Sequence, residues 1–407
     1  MRNTSPILER IRNYQDARRV MAMGIYPYFR AIESEQGTVV TMDGKSVLMM
    51  GSNNYLGLTN HPEVKEAAKQ AIDQYGTGCA GSRFLNGTLT IHTKCEEVLA
   101  DFMGTESALV FSTGFMTNQG TIAPLIGRDG FIIIDRMDHA SIIDAARLAF
   151  AKTIKYAHND MEDLEKKLSS LEEKCKLIIV DGVFSMEGDI ARLGEIVYLA
   201  EKHGAEVLVD DAHAIGVLGP GGTGTAAHFG VQEQVIGTIG TFSKSLASIG
   251  GFLAASENVI HYLKHNSRAL IFSASPPPAS VASVIKAVEI IKREPERIER
   301  LWELTRYLKN GLQSEGFNLG ECETPIIPIY VGEDLKAFQA CIMLQDEGVF
   351  VNPVISPAVP PDKAMIRLSL MSTLTEDQLD FAIEKLIKVG KILGFLGSER
   401  EAASKSA

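Results

Sequence analysis

The sequence predicts an α/β fold in which a large domain with a mostly parallel central sheet precedes a smaller C-terminal α/β domain. Three observations carry that prediction. Between about residues 100 and 255, short β-branched runs (131–134, 177–180, 207–209) alternate with segments of helical period (161–174, 193–203). This is the pattern of parallel strands joined by crossover helices on both faces of a sheet. Pro276-Pro277-Pro278 interrupts the alternation, because proline has no N–H for a ladder and biases its predecessor away from helix. Beyond it, a strand–helix–strand unit and one closing helix form a second group.

Taken in order, Ser5-Pro6 supplies an N-cap and a proline at the first helical position. Leu8, Ile11, Tyr14 and Met21 then fall near helical spacing, with arginines on the wet face. Residues 37–50, rich in Val and Thr with alternating polar positions, read as a hairpin, and Asn60-His61-Pro62 starts a helix to about Tyr75. Strand-like runs at 108–111 and 235–239 each end in hydroxyl residues. After the three prolines one long helical stretch carries Ile285, Val288, Ile291, Leu301, Leu304 and Leu308. Strands at 326–331 and 365–371 flank a helix at 334–346, and a helix at 376–393 closes the fold. The expected division is an N-terminal helix and hairpin over 1–55, a large domain over 56–290, a small domain over 291–396 and a disordered polar tail over 397–407. The chain carries no internal repeat.

With 407 residues, 45% apolar and 22% charged, the chain has the composition of a soluble globular protein of two or three domains. A net charge of −11 argues against nucleic acid as a partner, since binding a duplex needs a concentrated basic surface. The charge is uneven: residues 1–30 hold six arginines against Glu9 and Asp16, a balance of +4, which leaves −15 for the rest. No run approaches the ~18 uncharged apolar residues of a membrane span, and the start lacks the apolar stretch of a secretion signal, so a cytoplasmic chain is expected. The five cysteines are odd in number and widely spaced, with no Cys-x-x-Cys pair, which predicts reduced thiols and no metal site. Cys79, within a glycine-rich stretch, reads as a small buried filler.

Four segments carry candidate chemistry. Lys244, in Thr241-Phe242-Ser243-Lys244, follows an apolar strand and is flanked by small hydroxyl residues, where an amine can be held against a carbonyl for imine formation. Asp210, in Val209-Asp210-Asp211-Ala212-His213, ends a buried strand at the edge where parallel sheets bind ligands. An aspartate there can keep a pyridinium nitrogen protonated, and His213 can reach a phenolic oxygen on the same ring. Ser112-Thr113-Gly114-Phe115 breaks a strand and enters a helix, whose free N–H groups and positive dipole end suit a phosphate. His139 stands at a fourth strand end. Singly, each has a structural reading: a solvated lysine, a helix-capping aspartate, an ordinary N-cap, a hydrogen-bonded core histidine. Their order along one edge of one sheet points instead to pyridoxal 5′-phosphate, which needs a phosphate site, a partner for its ring nitrogen and an imine-forming lysine.

The residues also resemble a known family. Gly51-Ser52-Asn53-Asn54-Tyr55-Leu56-Gly57-Leu58, Gly78-Cys79-Ala80-Gly81-Ser82-Arg83-Phe84-Leu85-Asn86-Gly87-Thr88, Phe184-Ser185-Met186-Glu187-Gly188-Asp189, Asp210-Asp211-Ala212-His213 and Thr241-Phe242-Ser243-Lys244 are similar to the α-oxoamine synthases over about residues 20 to 395. These are fold-type I pyridoxal-phosphate transferases, aspartate aminotransferase-like in fold, which condense an amino acid with an acyl-CoA and lose CO₂. The stretch 78–88, together with 138–144, 349–360 and 367–370, is most like the branch that takes L-serine and a long-chain acyl-CoA; sister branches take glycine or alanine.

The resemblance implies that Lys244 bonds the cofactor and moves the Cα proton, that Asp210 pairs with the ring nitrogen, that His213 reaches the ring oxygen and that His139 stacks on the ring. It places Ser112, Thr113, Gly114 and Phe115 at the phosphate with Thr241 beside them, and Ser185 near the cofactor. Ser273, Ala274 and Ser275 would approach from the partner subunit, because family members build each site across a homodimer interface. Here Ser275 precedes Pro276 where relatives often place a threonine shortly before the proline. Asn53 and Arg367 would bind the amino-acid carboxylate, with pairing of Arg367 to an interdomain carboxylate as the alternative. A chain with lipid substrates and a +4 start suggests peripheral contact of residues 1–30 with an anionic membrane, or packing of that helix on the partner subunit.

Overall fold

Seven strands form the central sheet of the computed structural model, which describes residues 5–172 and 174–396. Across the sheet they run Ser107–Phe111, Gly251–Ala255, Gly237–Thr241, Glu206–Asp210, Lys176–Asp181, Phe131–Asp135 and Lys152–Tyr156. Gly251–Ala255 is antiparallel to both neighbours, and every other pairing is parallel. Helices cover both faces, so Ile132, Ile133 and Ile134, Ile178, Ile179 and Val180, and Val207, Leu208 and Val209 are all buried. The expected α/β class and mostly parallel sheet are what the chain adopts. One consequence governs the site: the parallel strands end on one edge, and Ser112, Asp181, Asp210 and Thr241 all emerge there.

The predicted strand at 235–239 lies two residues later, at Gly237–Thr241. It pairs with Gly251–Ala255, and a Cβ on Gly240 would lie 2.2 Å from the Phe252 ring, so the glycine lets this aromatic residue cross the sheet. The helix expected over 161–174 ends at Ser169, where the hydroxyls of Ser169 and Ser170 bond the carbonyls of Lys166 and Lys167. The long helical stretch after the prolines is two helices, Pro278–Arg293 and Glu296–Ser314, because Pro295 cannot donate within a continuous helix. The first of these packs on Pro62–Tyr75 and Thr90–Met103.

Two small sheets complete the fold. The hairpin Val39–Met42/Lys45–Met49 is extended by Val349–Phe350, and Ile326–Gly332, Ala364–Ser369 and Asn352–Val354 form the other. The closing helix Glu376–Leu393 starts on a capping box of Thr375 and Gln378 and ends on Gly394 with φ +69°. At the other end the single helix expected from Ser5 is divided into Pro6–Asn13 and Asp16–Ala22, Ser5 makes no side-chain cap bond, and neither helix buries a residue. Cys79 is half-buried rather than a core filler, with Sγ 3.6 Å from the Pro276 carbonyl. The expected disordered tail lies outside the described residues. Among the described residues, no helix is long and apolar enough to cross a membrane.

Candidate active site

A cavity of about 340 Å³ opens at the strand-end edge, and Lys244, His139, Asp210, His213, Thr113, Gly114, Phe115, Ser185 and Thr241 all line it. Each wall follows from local sequence. Thr113 caps the helix Gly114–Leu125, its hydroxyl accepting from Met116 N at 3.1 Å, so the first N–H groups of that helix open on the cavity. A Cβ on Gly114 would lie 2.7 Å from Thr241 Oγ1, so only glycine keeps the helix entry against the strand end. Thr241 is itself fixed by the Gly250 carbonyl at 3.2 Å and by Ser243 Oγ at 3.0 Å.

Asp210 is buried at the end of its strand. Its Oδ1 accepts from Ala212 N at 3.0 Å and its Oδ2 from Asn118 Nδ2 at 2.6 Å. His139 caps the next helix; its own N–H donates to Asp181 Oδ2 at 2.7 Å, and its Nδ1 lies 2.8 Å from Ser141 Oγ. Burial lowers the His139 pKa, opposed by Asp210 and assisted by Lys244. His213, with Nδ1 2.7 Å from the Tyr55 hydroxyl, is held well below the usual histidine value by burial, then by the charges of Lys244, Arg367 and His139. The Lys244 amine is brought down to about 8 by burial, against Asp210 and with help from Arg367. Burial raises the Asp181 carboxyl well above its ordinary value, with Asp210 and Asp138 adding to the effect.

The remaining expected residues stand beside the cavity. Arg367 is buried, its Nε donating to Ser185 O and its Nη1 to Ser369 Oγ, both at 2.5 Å, and its Nη2 to Asn53 Oδ1 at 3.1 Å. No carboxylate among the described residues pairs with it, which removes the interdomain ion pair and leaves a buried guanidinium held only by neutral acceptors. Ser112 turns away from the cavity, its Oγ donating to Ala274 O at 2.5 Å. Ser275 N and Oγ both donate to Gly81 O, at 3.0 and 3.1 Å, so 273–275 is tied to the glycine-rich stretch of its own chain. Asn118, Ser141, Asp181 and Ser243 also line the cavity. None was singled out from sequence, because each acts through a contact between elements distant along the chain or looks like an ordinary small polar residue.

This donor set fits pyridoxal phosphate: a helix N-terminus for the phosphate, a carboxylate for the ring N–H, imidazoles for the ring, and a half-buried amine of lowered pKa for the aldehyde. The comparisons agree. The family model for aminotransferase class I and II matches residues 45–386. A serine palmitoyltransferase of Sphingobacterium spiritivorum is 55% identical over 384 residues, covering 94% of this chain and 96% of the relative. An 8-amino-7-oxononanoate synthase of Symbiobacterium thermophilum is 44% identical, covering 92% and 96%. Among solved structures, a serine palmitoyltransferase variant from S. paucimobilis with bound pyridoxal phosphate and myriocin superposes with a TM-score of 0.93 at 35% identity, over 96% of this chain and 100% of that one.

Proposed function

The chain belongs to the aminotransferase class I and II family, as a fold-type I pyridoxal-phosphate enzyme, and from its 55% identity over 384 residues to a serine palmitoyltransferase we propose that it has that activity. The reaction is the decarboxylative condensation of L-serine with a long-chain acyl-CoA, palmitoyl-CoA, to 3-ketosphinganine, CoA and CO₂, the first step of sphingolipid biosynthesis. The observation that carries the pyridoxal-phosphate chemistry is one cavity lined by both a half-buried lysine of lowered pKa and a strand-end aspartate.

Bound pyridoxal phosphate supplies an electron sink for the bonds broken at the serine Cα. The residues do the rest. The Asp210 carboxylate holds the proton on the ring nitrogen, His213 reaches the ring oxygen, and His139 covers the ring face. Lys244 Nζ, in the neutral form that its lowered pKa makes more abundant, takes the proton from Cα and returns one after CO₂ has left. Thr113, Gly114 and Phe115 with Thr241 hold the phosphate, joined by Ser273, Ala274 and Ser275 of the partner subunit, with Ser185 nearby; the Ser112 hydroxyl, bonded to Ala274 O, is not among the phosphate donors. Arg367 and Asn53 hold the serine carboxylate; a guanidinium with no carboxylate partner has its charge free for that anion. With L-serine and palmitoyl-CoA, CoA release is expected to exceed that with glycine or L-alanine by at least about tenfold. Equal or faster release with glycine or alanine would move the assignment to a sister synthase, for which the 44% identity is the present support.

We also propose a cytoplasmic homodimer. Leu85 (77% exposed) and Phe272 (76%) crowd the segments that meet at Ser82 and Ala274, together with exposed Phe84, an apolar surface suited to a second copy. Residues 6–22 are assigned to peripheral membrane contact: Ile7, Leu8 and Ile11 are exposed, with Arg10, Arg12, Arg18 and Arg19 among them. Protein lacking residues 1–22 is expected to stay dimeric in sedimentation and to stop co-sedimenting with anionic vesicles. Loss of the dimer, or no vesicle binding by the intact chain, assigns this segment to the partner subunit instead.

A further inference from the structure

Two residues with no assigned role connect the ring-nitrogen partner to the ring-facing histidine. Asn118 Nδ2 lies 2.6 Å from Asp210 Oδ2 and 2.9 Å from Ser141 Oγ, and all three side chains are buried. The amide can be oriented only one way. Turned over, its oxygen would sit against the Asp210 carboxylate with no proton between them, so the NH₂ must face Asp210 and spend its second N–H on Ser141. Ser141 Oγ therefore accepts from Asn118, and its own proton is free to go to His139 Nδ1, 2.8 Å away. The Ser141 backbone N–H, 3.3 Å from the same nitrogen, is a second donor to it. A ring nitrogen that receives two donors carries no hydrogen, so a neutral His139 must carry its proton on Nε2.

We propose that Asn118 and Ser141 are positioning residues that lock His139 in the Nε2–H tautomer and tie its orientation to Asp210. The consequence is chemical. The His139 atom not engaged by Ser141 is then a hydrogen-bond donor, suited to a carboxylate or carbonyl oxygen of the bound substrate and unable to act as a base. One side-chain relay thus couples the group that holds the cofactor nitrogen to the group that meets the substrate. The inference deepens the functional reading above and rests on it for the identity of that substrate.

The test is nitrogen-15 NMR of histidine-labelled protein, with and without added pyridoxal phosphate, the His139 signals being assigned by their loss in His139→Asn. A protonated Nε2 and an unprotonated Nδ1 are expected in both samples. Ser141→Ala, which leaves only the longer backbone N–H at 3.3 Å on Nδ1, should weaken the preference and raise the Nδ1–H share above the parent's. Asn118→Ala should do the same, because Ser141 Oγ then loses the donor that occupies it and is free to accept a proton from His139 Nδ1. Each variant is expected to lose about tenfold in kcat/KM for serine, the scale of one hydrogen bond to a neutral partner, and to shift the visible band of the bound cofactor. A protonated Nδ1 in the parent protein, or an unchanged tautomer in both variants, overturns the proposal. If the parent protein binds no pyridoxal phosphate and releases no CoA, the functional reading fails instead, and the tautomer in the cofactor-free sample still decides this one.

Discussion

Lys244→Ala is expected to turn over about 10⁴-fold more slowly than the parent enzyme and to hold pyridoxal phosphate only reversibly. The lysine has two duties in the proposed reaction, covalent capture of the cofactor and proton transfer at Cα. Proton transfer by a placed side chain alone is worth roughly 10² to 10⁴. Dialysis should strip the visible absorbance from the variant and leave it on the parent. Borohydride treatment of the parent should fix the cofactor to the peptide that contains residue 244. A variant that keeps both the absorbance and the turnover would remove Lys244 from the site.

The same lysine gives a pH dependence with a definite sign. Its amine sits at about 8 because burial disfavours the ammonium form and Arg367 repels it, both opposed by attraction to Asp210. Only the neutral amine is a nucleophile. Capture of pyridoxal phosphate by cofactor-free protein should therefore accelerate about tenfold per pH unit below 8 and level off above it. An ordinary lysine, near 10.4, would leave the rate still climbing at pH 10. The rise in cofactor absorbance in stopped flow distinguishes the two.

Most of the fold was legible because parallel strands covered on both faces leave an unmistakable record, runs such as Phe131-Ile132-Ile133-Ile134 and Val207-Leu208-Val209. Lys152–Tyr156 escaped notice because it is an edge strand, with Lys152, Thr153 and Lys155 exposed and no apolar run to betray it. Gly251–Ala255 escaped because Gly251-Phe252-Leu253-Ala254-Ala255 holds no β-branched residue to mark a strand, and only the structure shows Phe252 lying over Gly240. The site divides in the same way. Residues set at strand ends by local sequence, Asp210, His139 and Lys244, could be placed from sequence order. Asn118, Ser141 and Asp181 could not, since their meaning lies in hydrogen bonds that cross 23, 92 and 42 positions of the chain. Arg367 needed both kinds of information: a motif singled it out, but only the packed structure pairs it with no carboxylate.

Asp210-Asp211 offers two adjacent carboxylates with opposite surroundings, and substitution should separate them sharply. Asp210→Asn keeps the side-chain shape, and the cofactor should remain bound through Lys244 and the helix entry. An amide lacks the charge that keeps a ring nitrogen protonated, and it also meets Asn118 with mismatched donors. The expected loss in kcat is about 10³-fold, the scale of removing one preorganised electrostatic group, with the absorbance of the bound cofactor retained. Asp211 turns to the other side of the strand end, outside the cavity, where its Oδ2 accepts from Thr225 N at 2.8 Å. Its Oδ1 and Thr225 Oγ1 are buried without partners, a place for one proton, and burial with the nearby Asp210 charge pushes the Asp211 carboxyl up to about 7. Its folded value lies above the ordinary carboxylate value. The stability it contributes is therefore complete below about pH 4 and is lost as the pH rises through about 7. Asp211→Asn, which carries its own N–H there, should leave kcat within about twofold and remove that loss, so its Tm should fall less than the parent's between pH 5 and 8. Equal kcat values for the two variants would show that Asp210 does not serve the ring nitrogen, and a Tm–pH profile identical to the parent's would show that Asp211 is ionised in the fold.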